Sequence, residues 1–291
     1  MDSSAAPTVV VLGSVNMDLI TTTDRRPEPG ETILGSSFTT VPGGKGANQA
    51  IAAARSGALV RFLGAVGNDD FGTTLRATLD DAGVDTSLLR TVDGPSGVAA
   101  IVVDGTGENS IIVVAGANGR VTELTADELT AIADADLLLC QLEIPLGTVA
   151  AAARHARASG TTVALNPSPV RPLPADLWAD IDIAVVNSAE AQRYSVELDH
   201  VPHVVRTLGS EGASYRADDG TEFAVAGLAV SVVDTTGAGD AFTGALCAKW
   251  CDSPGVSVIW ANAAGALATA KLGASSSIPH LEEITAALLD E

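Results

Sequence analysis

The chain has 291 residues, 46% hydrophobic and 18% charged, and its 36 Asp and Glu against 16 Lys and Arg leave a formal net charge of -20. That length suits one large α/β unit with a sizeable core, and a field of this sign repels polyphosphate, so neither nucleic acid nor an anionic membrane surface is an expected partner. The apolar runs at 9–12 and 137–140 fall far short of the roughly 18 residues that span a bilayer, and residues 1–8 lack a basic start or an apolar stretch, so a cytoplasmic protein is expected.

Apolar β-rich runs alternate with Ala/Leu-rich segments of helical period, which predicts an α/β fold: a central, mostly parallel sheet flanked by helices. The first strand is expected at 8–12. Gly13-Ser14-Val15-Asn16-Met17-Asp18 follows it and sets an amide and a carboxylate two apart, a pattern that fits vicinal hydroxyls and equally fits a turn. Pro42-Gly43-Gly44-Lys45-Gly46-Ala47-Asn48-Gln49-Ala50 is a glycine-rich turn into a helix expected at 47–56, with Lys45 and Asn48 projecting from its first turns; a loop cluster with a solvated lysine is the plainer alternative. A strand at 59–65 and a helix at 71–82 complete a βαβ unit, with Gly57 and Gly83 ending the helices.

Two stretches, 19–41 and 88–115, interrupt this rhythm with alternating patterns and turn residues, and Asp104-Gly105 between 98–103 and 109–114 is a direct hairpin signal. Antiparallel hairpins there predict a small β-sheet lid over the carboxyl ends of the parallel strands, where open α/β sheets bind ligands. Further strands are expected at 136–141, 162–166, 183–187 and 201–207, with helices at 146–158 and 188–194, and then helices at 238–250, 256–271 and 280–289. The whole of 1–291 reads as one unit.

The strongest chemical signal is Asp234-Thr235-Thr236-Gly237-Ala238-Gly239-Asp240, after a strand-like 230–233 and opening a helix. Its glycines let the backbone turn sharply and present successive N–H groups at a helix N-terminus, suited to anionic oxygen. It is neither common phosphate loop: G-x-x-x-x-G-K-[ST] is absent, and Phe242 stands where a dinucleotide fingerprint has its third glycine. Asp240, in the first helical turn where the dipole favours a carboxylate, could take a proton from a hydroxyl held against the same anion hole; a helix cap is the alternative.

Together these three motifs resemble the ribokinase family of carbohydrate kinases. Gln141-Leu142-Glu143, Asn166-Pro167-Ser168-Pro169, Asn187-Ser188-Ala189-Glu190 and Thr207-Leu208-Gly209-Ser210 follow in the family's order, so the resemblance covers nearly the whole chain. It implies an ATP-dependent sugar kinase, with D-ribose phosphorylated at its 5-hydroxyl. Asn16, Asp18, Gly44, Lys45, Asn48 and Glu143 would hold the sugar. Asp240 would be the general base, and Gly237, Ala238 and Gly239 the anion hole. Asn187, Glu190, Thr207 and Gly209 would serve ATP and its Mg²⁺, with Asn262 near the base, and Asp234, Thr236, Ala268, Lys271, Gly273 and Ser277 would form a K⁺ site through mainly backbone oxygens. The lid would also pair two subunits into a homodimer. Phosphoryl transfer asks mainly for positioning and charge neutralisation, which Mg²⁺ and backbone N–H groups supply locally against the global field. The rivals are a kinase of another sugar or a nucleoside in the same family, and a catalytically silent sugar-binding regulator.

One departure from the family concerns the crossover after Asn187, where only about sixteen residues precede the next strand, close to the dozen a parallel connection needs at minimum. The four histidines, His155, His200, His203 and His280, read as surface or capping residues, and Trp178, Trp250 and Trp260 as core. Cys140, Cys247 and Cys251 are too few and too scattered for a disulfide framework and read as buried thiols of a reducing compartment, despite the helical spacing of the last two.

Overall fold

The computed structural model describes residues 6–289, so the extreme ends of the expected 1–291 unit lie outside the described residues. The chain runs β1 (Thr8–Leu12), β2 (Asn16–Thr22), β3 (Ser37–Gly43), α1 (Lys45–Arg55), β4 (Leu59–Gly67), α2 (Asp70–Asp81), β5 (Leu89–Val92), β6 (Gly97–Val103), β7 (Asn109–Val114) and α3 (Ala126–Ala133). It continues through β8 (Leu137–Cys140), α4 (Leu146–Ser159), β9 (Thr162–Leu165), α5 (Ala175–Ala179), β10 (Ile183–Asn187), α6 (Ser188–Arg193), α7 (Ser195–Leu198) and β11 (His203–Thr207). It closes with β12 (Ala213–Ala217), β13 (Glu222–Val225), α8 (Ala238–Lys249), α9 (Pro254–Ala268) and α10 (Leu281–Leu289).

Nine strands form one sheet in the order β13-β12-β11-β10-β9-β8-β1-β4-β5. Neighbours from β11 across to β5 are parallel, and β12 and β13 extend the edge antiparallel. Val9 and Val11 of β1 join the core beneath α1, α2, α8 and α9, whereas Val10 and Leu12 join the core beneath α3, α4 and α5. Burial on both faces is why these strands read as unbroken apolar runs rather than alternations. Chain order reverses at β1, which has β4 on one side and β8 on the other. The loops leaving β1 and β8 part there and open a crevice at the carboxyl ends of the strands. Among the described residues, no helix is long and apolar enough to cross a membrane.

A second sheet, in the order β3-β2-β6-β7, carries the two hairpins. Both hairpins, β2-β3 and β6-β7, are antiparallel as expected, and a parallel pairing of β2 with β6 joins them. Residues 89–92 also leave the lid: β5 pairs with β4 at the edge of the main sheet. The strand expected at 230–233 is absent. The segment has no partner strand, and Val233 and Asp234 instead donate their backbone N–H to Thr269 O at 2.8 and 3.1 Å, beyond the end of α9. The abbreviated crossover after Asn187 is two short helices, α6 and α7.

Four smaller expectations also shift. His203 lies within β11, where Nδ1 meets the Tyr215 hydroxyl at 2.8 Å and the ring packs edge-on against Trp250. Only Trp178 is fully in the core, since Trp250, at the end of α8, and Trp260, midway along α9, are half-buried. Cys140 and Cys247 are buried, and burial pushes the Cys140 thiol up to about 12, but Cys251 is exposed. The last falls in the turn after α8 ends, so the helical spacing that would align it with Cys247 does not extend that far.

Candidate active site

The crevice has a polar chamber at its centre, about 130 Å³, lined by Lys45, Asn166, Asn187, Glu190, Thr207, Gly237, Gly239 and Asp240 among others. It shares Thr207 and Gly239 with the wall of a larger, mainly apolar cleft of about 610 Å³. Every element contributing to the chamber does so from a strand's carboxyl end or a helix N-terminus, the places where backbone groups are left free for ligands.

Beside the chamber, the loop after β1 and the glycine turn before α1 interlock. Gly44 has φ +93, and a Cβ there would press on the backbone of Val15 and Asn16, so the turn that delivers Lys45 to the first position of α1 needs glycine. Asn16 is buried, and its Oδ1 accepts from Asn118 Nδ2 at 2.7 Å; Asn118 also pairs with the Val15 backbone in both directions at 3.0 Å. Glu143, after β8, accepts from Ser14 Oγ at 2.5 Å and from the Lys45 backbone N–H at 3.2 Å. Burial pushes the Asp18 carboxyl up to about 7, with Glu143 and Asp240 adding to the effect. Asp240, together with Glu143 and Glu190, holds the Lys45 ammonium above the ordinary lysine range against the opposing effect of burial.

Asp240 is 7% exposed and sits in the first turn of α8. Asn48 Nδ2 donates to its Oδ2 at 3.1 Å, and Gln49 Nε2 donates to its Oδ1 at 2.9 Å. A carboxylate held by two amides in one orientation, in the wall of the chamber, is a group placed to accept a proton from a hydroxyl brought alongside. It is not the Ncap of α8: that position is Gly237, with φ 77 in the left-handed region. Gly237 and Gly239 line the chamber, while the Ala238 N–H is turned to Thr235 O at 3.3 Å.

The turn is braced from behind. Asp234 Oδ1 accepts from the Thr236 N–H at 2.9 Å and Oδ2 from the Gly273 N–H at 3.0 Å. Burial opposes its charge, yet these bonds hold the carboxyl below the ordinary range. Ala274 packs against Gly237, and Ser277, fully buried, donates Oγ to Ala274 O at 2.9 Å. Ala268 ends α9, and Thr269 O just beyond it accepts from the Asp234 backbone N–H at 3.1 Å, so the carboxyl end of a helix dipole meets the segment that carries the Asp234 carboxylate, oxygen chemistry that fits a hard monovalent cation. The Lys271 side chain points away to Glu283, at 2.6 Å, leaving only its carbonyl for such a site.

On the far side, Asn187 and Glu190 close a capping box on α6: the Glu190 N–H donates to Asn187 Oδ1 at 2.9 Å and the Asn187 N–H to Glu190 Oε2 at 2.8 Å. Glu190 therefore offers a single carboxylate at the chamber wall, which fits Mg²⁺ held chiefly by phosphate oxygens and water. Thr207 ends β11, and Gly209 and Asn262 line the large cleft. Asn262 Nδ2 donates to Ala226 O at 2.7 Å, tying α9 to the loop that roofs the cleft.

Sequence reasoning did not single out Asn118, Gln49, Gln141 or Asn166. Gln49, Gln141 and Asn166 lie inside quoted motifs, so the signal was present, but nothing local distinguishes a buried amide that faces a carboxylate from one that caps a turn.

The pfkB family carbohydrate kinase model matches residues 6–281. The chain is 37% identical over 286 residues to the ribokinase of Bacillus subtilis, covering 95% of this chain and 97% of that protein. It is 36% identical over 296 residues to the ribokinase of Haemophilus influenzae, covering 95% and 96%. The structure of Arabidopsis thaliana ribokinase complexed with ribose and ATP superposes with a TM-score of 0.92 at 31% identity, covering 98% of this chain and 99% of that one. The chain thus belongs to the pfkB family of carbohydrate kinases, among its ribokinase-like members, and is a phosphotransferase that acts on a sugar hydroxyl.

Proposed function

We propose that this protein transfers the γ-phosphoryl group of ATP to the 5-hydroxyl of D-ribose. The observation that carries the reading is the buried Asp240, oriented by Asn48 and Gln49 in the wall of the polar chamber, next in the chain to Gly239, which lines both the chamber and the larger cleft. Asp240 takes the hydroxyl proton as the oxygen attacks, and the backbone N–H groups of Gly237 and Gly239 face the charge that develops on the transferring phosphoryl. Ala238 contributes its place in the turn more than its N–H, which Thr235 O engages.

Asn16, Asp18, Gly44, Lys45, Asn48 and Glu143 hold the sugar. Their polarity, and the hydrogen bonds that fix Asn16, Asn48 and Glu143 to their neighbours, favour a compact polyol over a nucleoside. ATP lies along the cleft past Thr207 and Gly209, with its base towards Asn262. Glu190 and Asn187 would hold Mg²⁺, which would supply neutralisation of phosphate charge. Asp234, Thr236, Ala268, Lys271, Gly273 and Ser277 would hold K⁺, which would stiffen the loop that supports Gly237. The experiment is ADP release measured against a panel of pentoses, ketohexoses and nucleosides. Ribose should give the highest kcat/KM; no turnover with any member would support a silent binding protein instead.

A homodimer formed through the lid belongs to the same proposal. Ile111, Ile112, Val113 and Val114 of β7 are all exposed, and Phe38 of β3 is 65% exposed, an apolar sheet with an open edge that a second copy would cover. Sedimentation should return a dimer at micromolar concentration, and a fully active monomer would contradict it.

A further inference from the structure

Gln49 is wholly buried in α1 and sits at the centre of a chain of amides that ends on Asp240. Its Nε2 has two hydrogens and two acceptors, Asp240 Oδ1 at 2.9 Å and Asn166 Oδ1 at 3.1 Å, and its Oε1 accepts from Gln141 Nε2 at 2.6 Å. Asn166 is fixed in turn by donating Nδ2 to Val185 O at 2.9 Å. The chain thus spans the carboxyl ends of β8, β9 and β10 and meets the first turn of α8. Its direction is dictated by charge. An ionised carboxylate only accepts, so Gln49 must offer Nε2 to Asp240; Oε1 is then left for Gln141, which must offer its own Nε2.

The arrangement carries a cost. Gln141 Oε1 is buried without a hydrogen-bond partner, and such an orphaned acceptor is unfavourable. Gly13 makes room for it, because a Cβ at that position would run into the same oxygen. Packing alone would be served as well by an apolar side chain of similar length at 49 or 141, without the orphaned oxygen. A buried polar chain that ends on a carboxylate lining the chamber, with an amide on each of its oxygens, serves that carboxylate.

We infer that Gln49 is a positioning residue for phosphoryl transfer, fixing the rotation of the Asp240 carboxylate through Oδ1, with Gln141 and Asn166 locking Gln49 in turn. This rests on the reading of Asp240 as the base. The other charged groups around Asp240 include Lys45 at the start of α1, Asp18 in β2 and Glu190 of α6, which lines the same chamber, and all three stay unchanged in the variants that test it.

The experiment compares Gln49→Met, Gln49→Glu, Gln141→Met and Asp240→Asn with the parent, by ADP release across pH and by thermal unfolding. Gln49→Met should lower kcat about 10-fold to 100-fold while ribose KM stays within about threefold, because the transition state and not the bound sugar loses an aligned base. Gln49→Glu sets a second carboxylate against Asp240, and the pair must share a proton, so the acid limb of the kcat profile should move up by about one pH unit or more. A purely structural glutamine would move neither. Gln141→Met, one step removed, should lower kcat about threefold to tenfold. Parent-like kcat and pH profile in both Gln49 variants, with Asp240→Asn inactive, would overturn the inference and leave the base intact. An active Asp240→Asn would instead overturn the base assignment itself. Should the Gln49 variants fail to fold, Gln141→Met decides, and parent-like kcat and profile there overturn the inference.

Discussion

The two halves of the crevice are built on different physical principles. On the side proposed for the sugar, Asn16 bonds Asn118, Glu143 bonds Ser14, and Asn48 and Gln49 both bond Asp240, and most of these residues are buried. On the side proposed for the nucleotide, the cleft is lined by Gly209, Gly212, Gly227, Ala229, Val230 and Val232, with Asn262 supplying a polar group. The first half is preorganised: its donors and acceptors are already oriented, so a polyol with a matching hydroxyl pattern finds its partners in place, and one lacking a hydroxyl leaves buried groups unpaired. The second half offers small side chains, backbone and shape, which bind a flat aromatic base without demanding one arrangement. Discrimination should therefore be concentrated in the sugar, with nucleotide choice comparatively permissive.

The sharpest way to break the comparison is Asp240→Asn, which keeps the shape of the sugar side and removes its proton acceptor. kcat should fall by roughly 10² to 10⁴, while calorimetry shows ribose affinity within a few-fold of the parent. Activity near the parent level would mean that the buried network does not serve catalysis.

Exchanging potassium for a large organic cation at fixed ionic strength probes the support between the halves. Asp234 bonds Gly273, and Ala274 packs on Gly237, so loosening this loop should disturb the anion turn while leaving the sugar contacts alone. A fall of about tenfold in kcat with ribose KM unchanged is expected, and equal rates in both salts would remove the cation from the account.

The pH dependence of ribose KM should report on Asp18. Its carboxyl, raised to about 7 by burial and by Glu143 and Asp240, ionises as pH climbs through neutrality, and the ionised form accepts the stronger, charge-assisted hydrogen bonds from hydroxyls at both oxygens. KM should therefore fall as pH rises from 6 to 8, by about fivefold to tenfold, and Asp18→Asn should flatten the profile. For the ligand-free protein the sign is opposite. A carboxyl raised in the folded state contributes stability below the unfolded value of 3.8 that is lost as pH rises towards 7.

The smallest effect belongs to the open half. Asn262→Ala removes the tie to Ala226 O and one polar group of the cleft, and should raise KM for ATP by about threefold with little change in KM for ribose. A larger loss on the ribose side would show that the two halves are not separable.

Much of this was legible in the sequence, for a physical reason. The turns at 42–49 and 234–240 are local: glycines at positions of positive φ and polar residues in the next helical turn stand within a few positions, so chain order alone displays them. The alternation of apolar runs and helical segments likewise fixed the parallel sheet, because a strand buried on both faces leaves no polar position to confuse it. What escaped is what depends on separation in sequence. Asn118 reaches Asn16 from 102 residues away and Gln49 reaches Asp240 from 191, both as neutral amides whose role appears only once their partners are known. The strand expected at 230–233 shows the converse limit. Alternating Val residues satisfy the pattern, but a strand also needs a neighbour, and Thr269 O takes that place.

The measurement that bears most directly on the whole account is the ³¹P spectrum of the product formed from ribose and ATP. A phosphate on the 5-oxygen couples to two protons on the adjacent carbon, so a phosphomonoester triplet growing as ADP accumulates is the predicted result. A doublet, reporting phosphate on a ring carbon with a single proton, or ADP formed with inorganic phosphate as the sole partner, would contradict it.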